Sequence, residues 1–236
     1  MATIVGRVAR EESFYQKMAT GLAALILFAF GQFALRGYVD YRQAPLIVHI
    51  HGAAMASWLV LLVVQSTLAQ RSDLALHRRL GWLGLVLVLV IPPLAITTCV
   101  AVLRAHAVPP FFTPAFFLML VTVESLTFAG LVVAAIALRR RTDWHRRLMI
   151  GAAIILLEPA FGRLLPMPLM GSWGEWVAML LQLVAVAIIA RHDLGSRGKI
   201  HNATLLVGGT VVLVHVFDTL LAMAAPIVAL AGSISG

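Results

Sequence analysis

The sequence predicts an all-α integral membrane protein, a bundle of seven transmembrane helices forming one domain over residues 1–236. Of the 236 residues, 61% are hydrophobic and only 12% are charged, whereas a soluble domain is nearer half apolar and a quarter charged. The hydrophobic residues also form long runs, with the basic residues confined to short clusters between them. A soluble core cannot bury so large an apolar fraction, so composition alone indicates the class.

The lengths of the apolar runs predict where the chain crosses the membrane. A hydrocarbon core of about 30 Å requires about 20 helical residues. Seven segments meet this length, and we place them near residues 18–37, 46–69, 79–103, 112–138, 146–166, 173–191 and 201–225. The last run, 226–236, is too short to cross again. Prolines predict kinks in the third span, at Ile91-Pro92-Pro93, and in the fifth, at Glu158-Pro159.

The distribution of basic residues predicts a cytoplasmic N-terminus and an external C-terminus, as in a bacterial inner membrane. With seven spans, the N-terminal segment shares a side with the second, fourth and sixth connections. That side carries Arg7, Arg10, Lys17, Arg71, Arg78, Arg79, Arg139, Arg140, Arg141, Arg146, Arg147, Arg191, Arg197 and Lys199, and the other side carries Arg36, Arg42, Arg104 and Arg163. Because Lys and Arg accumulate in cytoplasmic loops, the bias orients the chain and supports seven spans.

The net charge of +8 does not predict nucleic-acid binding, because the basic residues lie where they set membrane topology. The lipid bilayer is the expected partner. The single Cys99 excludes an internal disulfide and a multi-cysteine zinc or iron–sulfur site.

A weak internal repeat places a histidine and basic residues where helices begin. Leu76-His77-Arg78-Arg79-Leu80 opens the third span, and Trp144-His145-Arg146-Arg147-Leu148 opens the fifth. A looser version, Lys199-Ile200-His201, opens the seventh. Parallel repeats of a helical hairpin are one explanation, and positive-inside topology alone is the other. We expect His77, His145 and His201 at the cytoplasmic face, beside lipid head groups or with ligand or proton roles.

Polar residues inside the spans predict a site in the outer half of the membrane. An intramembrane charge is costly and normally faces the bundle interior with a partner. Helical spacing places His51, Trp58 and Gln65 on one stripe, and Glu175 and Gln182 on another. At about 1.5 Å of rise per residue, six polar groups lie at similar depth in the outer half. They are His51, Glu124, Glu158, Gln182, His215 and Asp218.

The leading interpretation of these residues is a metal or haem redox centre. His51 and His215, on the second and seventh spans, would be the ligands of iron, copper or zinc, or the axial pair of a haem b. Glu158 and Asp218 would be further ligands or partners of the ligands. Proton-path or supporting roles are expected for Glu124, Gln65, Gln182, Arg163 and His49. A quinone or a respiratory complex would then be the redox partner.

Two other classes remain open. In a proton- or ion-coupled carrier, Glu124, Glu158 and Asp218 would titrate, with His215 as the relay. In a non-catalytic accessory or assembly subunit, the same groups would only pin helices together. A retinal protein is excluded, because the only lysines, Lys17 and Lys199, lie at the inner boundary and none is inside the bundle.

The motifs His49-Ile50-His51-Gly52, His77-Arg78-Arg79-Leu80-Gly81-Trp82 and His145-Arg146-Arg147-Leu148-Met149 resemble those of a bacterial family of polytopic membrane proteins of unknown function, over residues 45–165. The chain is more distantly similar to b561-type cytochromes and to haem–copper oxidase assembly proteins. That similarity implies histidines near helix ends in paired hairpins. The histidines here do not form two same-face pairs on consecutive helices, so at most one site is expected.

Overall fold

The computed structural model describes residues 2–40, 42–171 and 173–236, with side chains described from Arg10 onward. These residues form helices and connections without any β-strand, which confirms the predicted all-α class. The helices are α1 (Ala2–Leu35), α2 (Leu46–Gln70), α3 (Leu74–Arg104), α4 (Pro114–Ala137), α5 (Thr142–Ile155), α6 (Glu158–Leu164), α7 (Met167–Met170), α8 (Trp173–Arg197), α9 (Asn202–Ala222) and α10 (Ala225–Ser235).

Within the described ranges, six helices are long and apolar enough to cross a membrane. They are α2, α3, α4, α8, α9 and the part of α1 over Arg10–Leu35. Leu89 on α3 and Leu213 on α9 are 63% and 54% exposed, as expected for side chains that face lipid. The chain is therefore a multi-pass membrane protein. The predicted fifth span, 146–166, is instead divided into α5 and α6, and each is too short to cross alone.

The break between α5 and α6 has a local cause in Pro159. Proline has no backbone N–H, so it cannot donate to the carbonyl four residues earlier, which belongs to Ile155. That carbonyl instead accepts a hydrogen bond of 3.1 Å from Nε2 of Gln182 on α8. The prediction of an interruption at Glu158-Pro159 is thus confirmed. At Pro92 and Pro93, by contrast, α3 continues as one helix of 31 residues.

Side-chain caps fix where several helices begin. Oδ1 of Asp73 accepts a hydrogen bond of 3.2 Å from the Leu76 amide at the start of α3. Oγ1 of Thr113 does the same for the Phe116 amide, at 3.1 Å, at the start of α4. Each bond satisfies an amide that has no partner inside its own helix.

The connections between the long helices lie at two ends of the bundle. The arginine-rich end contains the connections 71–73, 138–141 and 198–201, and the opposite end contains 105–113 and 165–171. Nε2–H of His201 donates to Oδ2 of Asp143 at 3.0 Å, which joins the starts of α9 and α5 at the arginine-rich end. At the opposite end, Nε2 of Gln32 on α1 donates to the Arg163 carbonyl at 3.0 Å.

The α5 helix lies at the centre of the bundle and contacts α1, α4, α8 and α9. Ala152, Ala153 and Ile154 have no exposed surface. A Cβ added to Gly151 would lie 3.0 Å from Cγ1 of Val207 on α9, so the two helices pack closely because residue 151 has no side chain. The segment 158–175, which follows α5, delivers two acidic side chains to the bundle interior.

Candidate functional site

Four acidic side chains from four helices are buried in the half of the bundle away from the arginine-rich end. We call Glu124 of α4, Glu158 of α6, Glu175 of α8 and Asp218 of α9 the carboxylate cluster. Their exposed fractions are 7%, 2%, 7% and 0%. Helix α6 begins at Glu158, directly after the break, and Glu175 lies in the first turn of α8.

The four carboxyl groups interact electrostatically. Glu158, Asp218 and Glu175 are the charged groups that act on Glu124, and Glu175 also acts on Asp218. Their oxygens are poorly satisfied within the described part of the chain. Buried oxygens without a hydrogen-bond partner are Oε1 of Glu124, Oε1 of Glu158, Oε2 of Glu175 and both side-chain oxygens of Asp218. Buried polar atoms in proteins normally have partners, so this concentration of exceptions is unusual.

His215 of α9 joins the cluster to α8 through both ring nitrogens. Nδ1 contacts Oε1 of Glu175, and Nε2 lies 2.8 Å from Oε1 of Gln182. Because the Gln182 amide nitrogen donates to Ile155, its oxygen must accept, so Nε2 of His215 carries a hydrogen. The Nδ1 contact then requires one further proton, either on His215 or on Glu175.

Gln182 and Arg163, two residues that the sequence predicts to support this site, make different contacts in the structure. Gln182 is buried, and its Oε1 lies 2.8 Å from Nε2 of His215. Arg163 donates from Nη1 to the Pro159 carbonyl at 2.7 Å, and its guanidinium lies over the ring of Phe30. It acts electrostatically on both Glu158 and His51.

His51 and His49 differ in their surroundings. Nδ1 of His51 is buried and lacks a partner among the described residues, while His49 is exposed. This agrees with the two residues pointing to different sides of α2. His51 is not a hydrogen-bond partner of His215, whose two ring nitrogens contact Glu175 and Gln182.

The described residues do not offer a ready set of metal ligands. They include no group of three or more His, Cys, Asp or Glu side chains placed to hold a metal ion. For His215 to ligate iron, copper, zinc or a haem, its bond to Glu175 or to Gln182 would first have to open.

Gln65 and two of the repeat histidines lie at the arginine-rich end instead. Nδ1–H of His77 donates to the Gln65 carbonyl at 3.2 Å, and the Gln65 side chain donates back to the His77 carbonyl at 3.1 Å. Nδ1–H of His145 donates to the Ala135 carbonyl at 2.8 Å. In both hairpins the histidine thus fastens the start of one helix to the end of the previous helix. Gln65 is consequently remote from the carboxylate cluster.

The third repeat histidine belongs to a different network. Nδ1 of His201 accepts from the Ala203 amide at 3.1 Å and so caps α9, while Nε2–H donates to Asp143. Burial opposes ionisation of Asp143, but the hydrogen bonds from His201 and Trp144 and the charge of Arg197 outweigh it and lower the pKa of that carboxyl.

Beside this network lies a fully buried ion pair that the sequence did not predict. Arg147 of α5 and Asp193 of α8 form a salt bridge, and neither side chain has exposed surface. Asp193 also accepts from Oγ1 of Thr204 at 2.6 Å and from the His201 amide at 3.1 Å. The distribution of basic residues places Arg147 in a cytoplasmic cluster that sets topology, and this pattern does not predict that its side chain is buried.

Glu175 is the member of the cluster that sequence reasoning left out. Its spacing of seven residues from Gln182 already placed both on one face of the helix. Glu175 lies in the first turn of a predicted span, where a charged residue is expected near the membrane surface rather than inside the bundle.

Comparison of the chain with protein-family models, with curated proteins and with solved structures gives no match. The six long apolar helices define its class as a multi-pass α-helical membrane protein.

Proposed function

We propose that this chain is a proton- or ion-coupled carrier whose carboxylate cluster takes up and releases protons. The observation that carries the proposal is the set of five buried carboxylate oxygens without partners, contributed by four helices. Intramembrane acidic residues that face a bundle interior are typical of proton and ion pathways. A purely structural network would be expected to satisfy its own oxygens.

The charge in the cluster supports proton binding. Four ionised carboxylates in a buried site would repel one another and lose their hydration. Among the described residues, Arg163 is a basic side chain that acts on Glu158, and a single positive charge offsets only part of that negative charge. The cluster is therefore expected to hold bound protons. The contact between Nδ1 of His215 and Oε1 of Glu175 holds one such proton.

The helix break supports the carrier proposal from another direction. Discontinuous helices are common at the binding sites of transporters, where neighbouring helices satisfy the released backbone groups. Here the break directly precedes Glu158. The Gln182 side chain accepts a hydrogen bond from His215 and donates one to the released Ile155 carbonyl. A change in the protonation of His215 would thus reach the break through one side chain.

The membrane setting is part of the proposal. We propose that α5 and α6 together make a seventh crossing, with the N-terminus in the cytoplasm, the C-terminus outside and the chain in a bacterial inner membrane. The arginine distribution supports this orientation. The cluster would then lie in the outer half of the membrane.

Infrared difference spectroscopy of the purified protein between acidic and alkaline buffer tests the proposal. We expect a C=O stretching band of protonated carboxyl groups that disappears on alkalinisation and shifts in D₂O. Asp218→Asn and Glu124→Gln should each reduce this band and slow proton uptake into proteoliposomes at least tenfold, because each removes a proton-binding group from the cluster.

Asp73→Asn is the matched control for this experiment. It also replaces a carboxyl by an amide, but Asp73 is an exposed helix cap and asparagine caps equally well. The band and the proton uptake should therefore survive this change. Absence of any protonated carboxyl band in the unsubstituted protein would contradict the carrier proposal.

A metal or haem redox centre is the second proposal, and the unpartnered Nδ1 of His51 is the observation that favours it. A Soret band, or bound iron, copper or zinc lost on His51→Ala, would support it over the carrier. A quinone or a respiratory complex would be its partner. Stable co-purification with a larger complex, without cofactor or proton uptake, would instead identify an accessory subunit.

A further inference from the structure

A groove between α1 and α8 lies at the arginine-rich end, remote from the carboxylate cluster. Its volume is about 680 Å³. The α8 residues that line it include Ile188, Arg191 and His192, which share one helical face. From α1, Arg10 and Phe14 complete the lining. We infer that this groove binds a phosphate-bearing anion, with the head group of an anionic phospholipid as the source that its position favours.

The charges in the groove are suited to an anion. Arg10 and Arg191 are exposed, and neither makes an ion pair within the part of the chain that the structure describes. Glu11 also lines the groove, but its carboxylate is occupied by a salt bridge with Arg146. Two arginine side chains thus remain for a ligand. Arginine presents several donors in a fixed geometry that matches phosphate oxygens.

The His192 ring in the groove is held in place by stacking on α1. The His192 ring lies parallel to the Phe14 ring, with the centroids 3.7 Å apart. The stacking therefore fixes the orientation of the ring that lines the groove.

The direction of the two helices favours a lipid over a soluble anion. Helix α8 runs toward the arginine-rich end, so Ile188 lies about one turn deeper in the membrane than Arg191. Helix α1 runs the other way, so Phe14 lies one turn deeper than Arg10. From Ile188 in the groove, which is 47% exposed, an apolar stripe continues deeper along α8 through Val184 and Leu180, each 56% exposed. Charge at the rim and an apolar track beneath it match the two parts of an anionic phospholipid.

Lipid titration of the detergent-purified full chain, followed by native mass spectrometry, tests this inference. We expect phosphatidylglycerol to bind more tightly than phosphatidylcholine. Arg191→Gln and Arg10→Gln should each weaken phosphatidylglycerol binding about fivefold, the effect typical of one basic residue near an anionic lipid surface. Arg140→Gln is the matched control, because it removes the same charge from an exposed position at the same end and outside the groove.

A second variant separates the two sources of phosphate. Ile188→Ser leaves the arginines in place but interrupts the apolar track. Weaker phosphatidylglycerol binding by this variant supports the lipid source. If inorganic phosphate binds the unsubstituted protein, needs both arginines and is unaffected by Ile188→Ser, while phosphatidylglycerol shows no preference, the anion site stands and its source is soluble. Equal binding of the two lipids without phosphate binding, or an equal loss in Arg140→Gln, overturns the inference.

Discussion

At the scale of single residues, the same residue types have different roles according to burial. Arg147 and Arg146 are neighbours in one basic cluster, yet Arg147 is fully buried against Asp193 while Arg146 bridges to Glu11 and keeps some exposure. Buried and exposed ion pairs differ greatly in energy, because a buried charge left without its partner has lost its hydration. The buried pair also joins α5 to α8, next to the capping network of α9.

Asp193→Asn tests the importance of that pair. We expect it to lower the free energy of unfolding by about 3–5 kcal/mol, because Arg147 would remain buried without a counter-charge. Unfolding by denaturing detergent, followed by circular dichroism, measures the change. Asp143→Asn is the control, since Asp143 bridges to Arg197 with both side chains about a third exposed, and it should cost less than about 1 kcal/mol. Similar losses of unfolding free energy in both variants would contradict a larger contribution of the buried pair to stability.

At the scale of helices, the break between α5 and α6 and the close packing of α5 against α9 position the site. The break follows from a missing N–H, which the sequence shows directly as Pro159. The packing depends on Gly151, where the side chain of Val207 occupies the space that a Cβ would need. Small residues permit such close approach between membrane helices.

Gly151→Ala should destabilise the bundle by about 1–3 kcal/mol, because the added methyl group meets a β-branched side chain with little freedom to move. Gly130→Ala on α4 is the matched control, since a Cβ there meets no atom within 4 Å. That change should be neutral or slightly stabilising, because alanine favours the helix. Thermal unfolding in detergent measures both variants. Equal behaviour of the two would contradict the close packing of α5 on α9.

At the scale of the whole molecule, the two ends of the bundle differ in chemistry. The arginine-rich end holds the hydrogen bonds of His77 and His145, the buried ion pair and the groove lined by Arg10 and Arg191, and the carboxylate cluster lies toward the opposite end. If the bundle crosses the membrane seven times, α5 and α6 act together as one span that is interrupted beside Glu158. Leu169 follows α6 and is 88% exposed. The side of the membrane on which Leu169 lies shows whether α5 and α6 together cross the membrane.

Single-cysteine labelling tests the topology in a Cys99→Ala background, with Arg140→Cys, Ala107→Cys and Leu169→Cys added one at a time. A membrane-impermeant maleimide should label the position 140 reporter only in everted vesicles. It should label the reporters at 107 and 169 only from the external face. If the reporter at 169 instead labels together with that at 140, then α5 and α6 do not cross and the seven-span prediction is wrong.

The sequence by itself determined the class of the protein and the positions of six long helices. Apolar run length and the cost of exposing backbone groups to lipid leave few alternatives to a helical bundle. It also indicated Glu124, Glu158 and Asp218 as interior acidic residues, because each is anomalous within an apolar run, and Glu158-Pro159 marked the break. These properties are local and can be found in a single segment.

Only the tertiary structure decided which of these residues meet. Estimated depth pairs His215 with His51, yet the ring nitrogens of His215 contact Glu175 and Gln182. Which side chains face each other across a bundle depends on how each helix is rotated about its axis. Gln65 shares a stripe with His51 but lies near the far end of the same helix, where it bonds His77. The burial of Arg147 was likewise invisible, since its partner Asp193 is 46 residues away. Helix rotation and long-range pairing are set by packing, which no single segment contains.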